Sequence, residues 1–151
     1  MTRVFTDNEI AALIEKLEAA TGPDRALDRR IFLLTRVGWD ERSYYHFCGM
    51  LPKDSSNTSE NNKFEFARRH APHFTASIDT ALTLVPQEQS SNYEVCLEQH
   101  KRRTRTYWDV TIGHMYHDAF HGQHANPAIA LVIAALKARA AMASAHEVSN
   151  V

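Results

Sequence analysis

The sequence predicts an α+β fold with a small antiparallel sheet packed with about four helices. Three observations carry this prediction. Apolar residues recur at helical spacing behind capping residues at about four places, and two segments of alternating polarity lie close together at about 93–112. The chain also has 151 residues, 44% of them hydrophobic, which is the size and balance of one domain spanning 1–151.

The first two helices have clear start and stop signals. Thr6 and Glu9 form a capping-box pattern that predicts a helix over about 7–20, and Gly22-Pro23 would end it. Pro23 also suits the first turn of a second helix, whose apolar period continues to about Val37-Gly38.

The middle of the chain is less regular. The aromatic segment Trp39–Met50 has no clear period, so we expect a short strand or irregular packing. The polar stretch 54–62 is typical of an exposed, mobile loop. Thr75 or Ser77 can cap a short helix that ends at Pro86.

The C-terminal third contains the predicted sheet and the last helix. Alternation over Tyr93–Glu98 and again over Trp108–Ile112 predicts two strands of an antiparallel hairpin. Asn126-Pro127 is a strong helix start, and one apolar stripe predicts a helix to about Ser144 with a frayed tail beyond it.

Three segments in order, 14–28, 74–86 and 126–140, resemble the phage ABA sandwich domain family. The resemblance covers nearly the whole chain. It implies a small phage or prophage protein with α/β/α layers, and it implies no catalytic residues. The polar stretch, the basic hairpin tip and the His-rich stretch before the last helix depart from the usual pattern of the family.

The predicted hairpin tip is a candidate site for a small anionic ligand. Arginine forks match phosphate oxygens, and aromatic rings can stack on a base. The candidate residues are Lys101, Arg102, Arg103, Arg105, Tyr107 and Trp108, and Tyr93 could also stack. A solvated loop kept soluble by its charge is the simpler interpretation.

A second candidate site is His-rich and lies between the hairpin and the last helix. His114, His117, His121 and His124 would share one face if this segment were helical, and such imidazoles can share a zinc or nickel ion, with Asp118 orienting one of the ligating rings. Gly113 and Gly122 bracket the run, which instead favours a polar loop without a metal site.

The remaining candidates have ordinary structural interpretations. The pairs Asp24/Asp28 and Glu15/Glu18 lie at helical spacing among cationic residues and indicate exposed ion pairs. Cys48 beside His46 is best interpreted as a buried cysteine, because no third group orients a thiolate and base.

Net charge, apolar stretches and cysteine content limit the classes of partner and the cellular location that we expect. The net charge of −1 gives no support for duplex DNA binding. The longest apolar stretch, 127–136, is too short to span a bilayer, so we expect no membrane partner. Two cysteines and an N-terminus without an apolar leader pattern predict a protein of the bacterial host cytoplasm.

Three functional hypotheses remain open. The first is a non-enzymatic phage accessory protein that binds a protein partner or itself, for example as a homodimer. The second is a small-ligand binder that sequesters a nucleotide used in host defence. The third is a metal-dependent enzyme that uses the four histidines.

Overall fold

The computed structural model describes residues 6–53, 58–86, 93–114 and 117–149. Within these ranges the chain forms six helices and one three-stranded sheet. The elements in chain order are α1 (Asp7–Ala19), α2 (Arg25–Thr35), α3 (Glu41–Met50), α4 (Ser59–His70), α5 (Ile78–Leu82), β1 (Tyr93–Lys101), β2 (Thr106–His114), β3 (His117–His124) and α6 (Pro127–Ser149). The α+β class with a small antiparallel sheet is confirmed.

The predicted signals at Thr6, Ser77 and Asn126 act as expected, whereas Pro23 precedes the Asp24 cap and therefore lies outside the first turn of α2. The Glu9 carboxylate accepts from the Thr6 backbone N–H at 3.4 Å, which is the backward reach of a capping box. Asp24 caps α2, and Ser77 caps α5. Asn126 caps α6 by accepting from the backbone of Ala128 at 2.9 Å. The last helix continues past the predicted end at Ser144.

The prediction of a strand or irregular packing for 39–50 is wrong, because the segment contains helix α3. The Asp40 carboxylate caps this helix by accepting from the Arg42 and Ser43 N–H groups. The Ser43 hydroxyl also donates to it at 2.6 Å and holds the pKa of Asp40 below its usual range. Only Tyr44 and Phe47 of the helix are buried, so aromatics on its other faces obscure the period.

The prediction of a loop over 54–62 is wrong for its last four residues, since α4 begins at Ser59; residues 54–57 lie outside the described part. Thr58 caps the helix by accepting from the Asn61 N–H at 3.2 Å. Phe66 on α4 then packs with its ring centroid 6.2 Å from Phe32 and 5.6 Å from Phe47. The packing of Phe66 against these rings stabilises α4, although the first turns of this helix are polar.

The predicted hairpin is present, and a third strand extends it. β1 pairs antiparallel with β2 from Tyr93↔His114 to Lys101↔Thr106. β2 pairs antiparallel with β3, with Val110 opposite Gly122. The segment 117–124 is therefore neither a helix nor a loop, and the strand order is β1-β2-β3.

Helix α6 lies between the sheet and the other helices. Every residue from Ala128 to Leu136 is buried, so the helix is covered on all faces rather than along one stripe. It contacts β2 and β3 on one side, and α1 and α5 elsewhere on its surface. The layers in the described part thus run sheet, α6, other helices, which differs from the α/β/α order that the resemblance implies.

Only one helix in the described part, α6, is long and apolar enough over Pro127–Ala145 to cross a membrane by length and composition. The core helix of a soluble protein passes the same test. Here the sheet and neighbouring helices enclose residues 128–136, which is the packing of a core helix.

Candidate functional site

The outer face of the sheet is open. Alternation places Val110 and Ile112 on the inner face, where both are fully buried. Their neighbours Asp109 and Thr111 lie on the outer face and are partly exposed. No helix covers this face in the described residues. Side chains of the outer face can therefore meet a ligand.

The basic tip forms a tight turn. Arg102 and Arg105 exchange backbone hydrogen bonds of 2.9 and 3.3 Å, so the strands meet at this pair. Lys101, Arg102, Arg103 and Arg105 are all exposed. The described residues contain no acidic partner for any of the four. The positive charge at this end is therefore available to an anion.

Tyr107 is the aromatic residue that the structure brings to this tip. The guanidinium carbons of Arg102 and Arg105 lie 5.8 and 5.5 Å from its ring centroid, within cation–π range. The His100 ring is nearly parallel to it, with centroids 5.2 Å apart and an interplanar angle of 16°. Tyr107 is thus surrounded by cationic and aromatic groups.

The other two predicted aromatics lie elsewhere. Trp108 follows Tyr107 along the strand, so it faces the opposite side of the sheet and packs against the core. Tyr93 lies at the far end of β1, where its hydroxyl donates to the Met142 sulfur at 3.4 Å. A ligand at the tip therefore meets Tyr107 without Trp108 or Tyr93.

A pocket of about 580 Å³ opens beside Arg105 and Tyr107. Four elements or their flanking residues contribute to its wall. The lining residues are Glu18, Arg105, Thr106, Tyr107, His121, Gln123, His124, Ala125 and Lys137. Pockets of about 300–1,000 Å³ are the usual size for small ligands.

Two cations of the pocket retain hydrogen-bond donors. Lys137 on α6 donates to the His121 carbonyl at 2.9 Å, and its other two N–H donors have no partner in the described part of the chain. The Arg105 guanidinium makes no hydrogen bond within the same ranges. Glu18 is the one acidic side chain of the lining and is exposed.

Of the four histidines predicted to bind zinc, His121 and His124 have described side chains, and these two have different roles. His124 lies on the inner side of β3, and its ring nitrogens lie 2.7 Å from the Ala20 carbonyl oxygen and 2.9 Å from the Asn126 N–H. Because Nδ1 accepts from Asn126, Nε2 must donate to Ala20. His124 thus joins the end of α1 to the start of α6.

His121 lies on the outer face. Its Nδ1 is 3.2 Å from the Thr111 hydroxyl and 3.9 Å from an Asp109 carboxylate oxygen. That oxygen, Oδ1, is buried without a hydrogen-bond partner, whereas the other accepts from the Gln123 amide at 2.9 Å. The cluster fixes the wall of the pocket with cross-strand polar contacts.

The strand separates histidines that a helix would have grouped. His121 and His124 are three residues apart, so they lie on opposite faces of β3 and do not share a metal ion in this arrangement. His114 and His117 are opposite each other in the β2–β3 pairing, but their side chains lie outside the described part, as does that of Asp118. The described residues contain no group of three metal-ligating side chains. Zinc binding stays a prediction.

Comparisons with known proteins gave no match: no family model, no curated protein and no solved structure matches this chain.

Proposed function

We propose that this chain is a non-enzymatic binding protein whose pocket beside the basic hairpin takes a small anionic ligand with a flat ring, such as a nucleotide. The observation that carries the proposal is the convergence of Arg105, Tyr107 and Lys137 on one pocket from two separate elements. Arg105 and Lys137 supply donors for phosphate oxygens, and Tyr107 supplies a ring surface.

The charged side chains of the pocket favour a ligand that has an anionic group at one end and hydrogen-bond donors at the other. Arg105 and Lys137 attract an anionic group, while the Glu18 carboxylate can only accept hydrogen bonds at neutral pH. A sugar hydroxyl or an exocyclic amine is a suitable donor for Glu18. A nucleotide combines these groups in one molecule, whereas inorganic phosphate offers only the anionic end.

The resemblance to the phage ABA sandwich domain family supports a phage or prophage accessory role in the cytoplasm of the bacterial host. Sequestration of a nucleotide signal used in host defence would be such a role. Such a role needs binding and release but no catalytic group, and Arg105, Lys137 and Tyr107 of the pocket supply groups for binding.

Removing the Arg105 guanidinium tests the pocket. We expect a mononucleotide to raise the Tm of the wild-type protein, because a ligand that binds only the folded state stabilises it by mass action. Arg105→Ala removes charge-assisted hydrogen bonds and should weaken nucleotide binding about tenfold or more, as measured by calorimetry.

Arg103→Ala is the matched control, because Arg103 carries the same charge on the same tip but does not line the pocket. It should keep nearly wild-type affinity. An equal loss in both variants would indicate unspecific attraction to the tip. If phosphate, nucleosides and nucleotides all fail to shift the Tm at millimolar concentration, the proposal is wrong.

A further inference from the structure

Strand β1 is an edge strand with unpaired backbone groups. It lies first in the sheet order and has β2 on one side only among the described residues. Antiparallel ladders alternate between hydrogen-bonded and non-hydrogen-bonded pairs. Since Arg102 and Arg105 form a hydrogen-bonded pair, the even-numbered residues of β1 bond to β2. Val95, Leu97 and Gln99 therefore direct their N–H and C=O groups away from the sheet.

The two edges of the sheet differ. On β3 the Lys137 ammonium donates to the His121 carbonyl and covers part of the edge. Charged side chains, proline and bulges commonly protect edge strands from pairing with another chain. β1 has no proline over its nine residues, and its charged side chains are Glu94, Glu98 and the terminal Lys101. Val95 and Leu97 on its inner face are only half-buried.

We propose that β1 pairs antiparallel with β1 of a second copy of this chain, in a twofold register centred on Leu97. The two sheets would then join into one of six strands. In this register the half-buried Leu97 side chains meet at the centre, and all nine residues of each β1 find a partner.

Avoidance of like charges selects this register. Centring on Leu97 places Glu94 of each copy opposite His100 of the other, since the paired residue numbers sum to 194. Centring on Cys96 would place Glu94 opposite Glu98 twice, and centring on Glu98 would oppose that residue to itself. Like charges directly opposite each other on a sheet are destabilising.

The mass of the protein in solution gives the first test of pairing through β1. This pairing is a separate proposal from ligand binding in the pocket. Sedimentation equilibrium of the full chain should approach twice the 17.2 kDa chain mass as its concentration rises. Gln99→Pro removes an N–H that points away from β2, so the intrachain ladder is retained while pairing between copies is blocked. It should weaken dimerisation about tenfold or more, and Gln99→Ala should not.

Cross-linking tests the register and does not depend on the proline variant. Residues 96 and 98 of the two copies would form a non-hydrogen-bonded pair with Cα atoms about 4.5 Å apart, within disulfide range. Glu98→Cys should therefore yield an oxidised dimer through Cys96, while the wild-type protein should not.

Three results would overturn the proposal. A monomeric mass at every concentration excludes self-pairing. A Cys96–Cys96 cross-link in the wild type contradicts the register. Unchanged dimerisation of a folded Gln99→Pro variant places the interface elsewhere. Because none of these measurements uses a nucleotide, they leave the ligand proposal to its own test.

Discussion

Gly122→Ala should destabilise the protein by about 3 kcal/mol, because the added methyl has no room between β3 and α6. A Cβ at Gly122 would overlap the Ala130 carbonyl oxygen and lie 2.9 Å from the Ala134 nitrogen. Both are backbone atoms of α6, so no side chain can rotate away. The strand and the helix would have to separate, which exposes the most deeply buried part of the core.

Gly113→Ala is the control for Gly122→Ala. Gly113 lies on the neighbouring strand β2, and a Cβ built there meets no atom within 4 Å. Alanine in this strand should be neutral or slightly stabilising, since glycine has the larger conformational entropy to lose. Urea unfolding of both variants gives the comparison. Wild-type stability of Gly122→Ala would show that α6 does not approach β3 as described.

Asp28→Ala should lower the free energy of unfolding by a similar amount, about 3 kcal/mol. For a domain of this size this corresponds to a fall in Tm of about 10 °C. The Asp28 side chain is 1% exposed and accepts from Arg25 at 3.0 Å and from the Thr75 N–H at 2.8 Å. Arg25 in turn donates to the Ala71 and Pro72 carbonyls. Removal of the carboxylate leaves the buried Thr75 N–H without its acceptor and loosens α2 from the segment after α4.

Glu65→Ala is the matched control for Asp28→Ala. Glu65 and Arg68 also form a pair at 3.0 Å and at the same helical spacing, but both side chains are about half exposed. Because water can replace contacts between exposed side chains, Glu65→Ala should lower the free energy of unfolding by less than about 1 kcal/mol. Thermal unfolding monitored by circular dichroism distinguishes the two variants. Equal losses would contradict the burial of Asp28.

The candidate site could be predicted in part. The basic tip and Tyr107 follow from a hairpin that alternation reveals directly. The rest of the pocket depends on contacts that join distant positions, such as Lys137 with the His121 carbonyl, 16 residues apart. No local pattern indicates them. The third strand was also missed, because Gly122 and four histidines over 114–124 hide the alternation of Phe120 with its neighbours.

Asp28 illustrates the limit of local patterns. Its spacing from Asp24 and its arginine neighbours indicated an exposed ion pair. The structure instead buries Asp28, because the Thr75 backbone approaches α2 from 47 residues away. A helical wheel gives the face of a residue but not what covers that face.

The sequence by itself determined where α1, α5 and α6 begin, the hairpin and its basic tip, because caps, prolines and polarity alternation act between neighbouring residues. The tertiary structure alone decided that 41–50 is helical, that 117–124 is a strand and that α6 is covered on every side. These outcomes depend on packing between distant segments. Phe66 packs with the aromatic residues of α3, and Gly122 admits the backbone of α6. The free energy of such tertiary contacts is larger than the intrinsic preference of the local sequence for helix or strand.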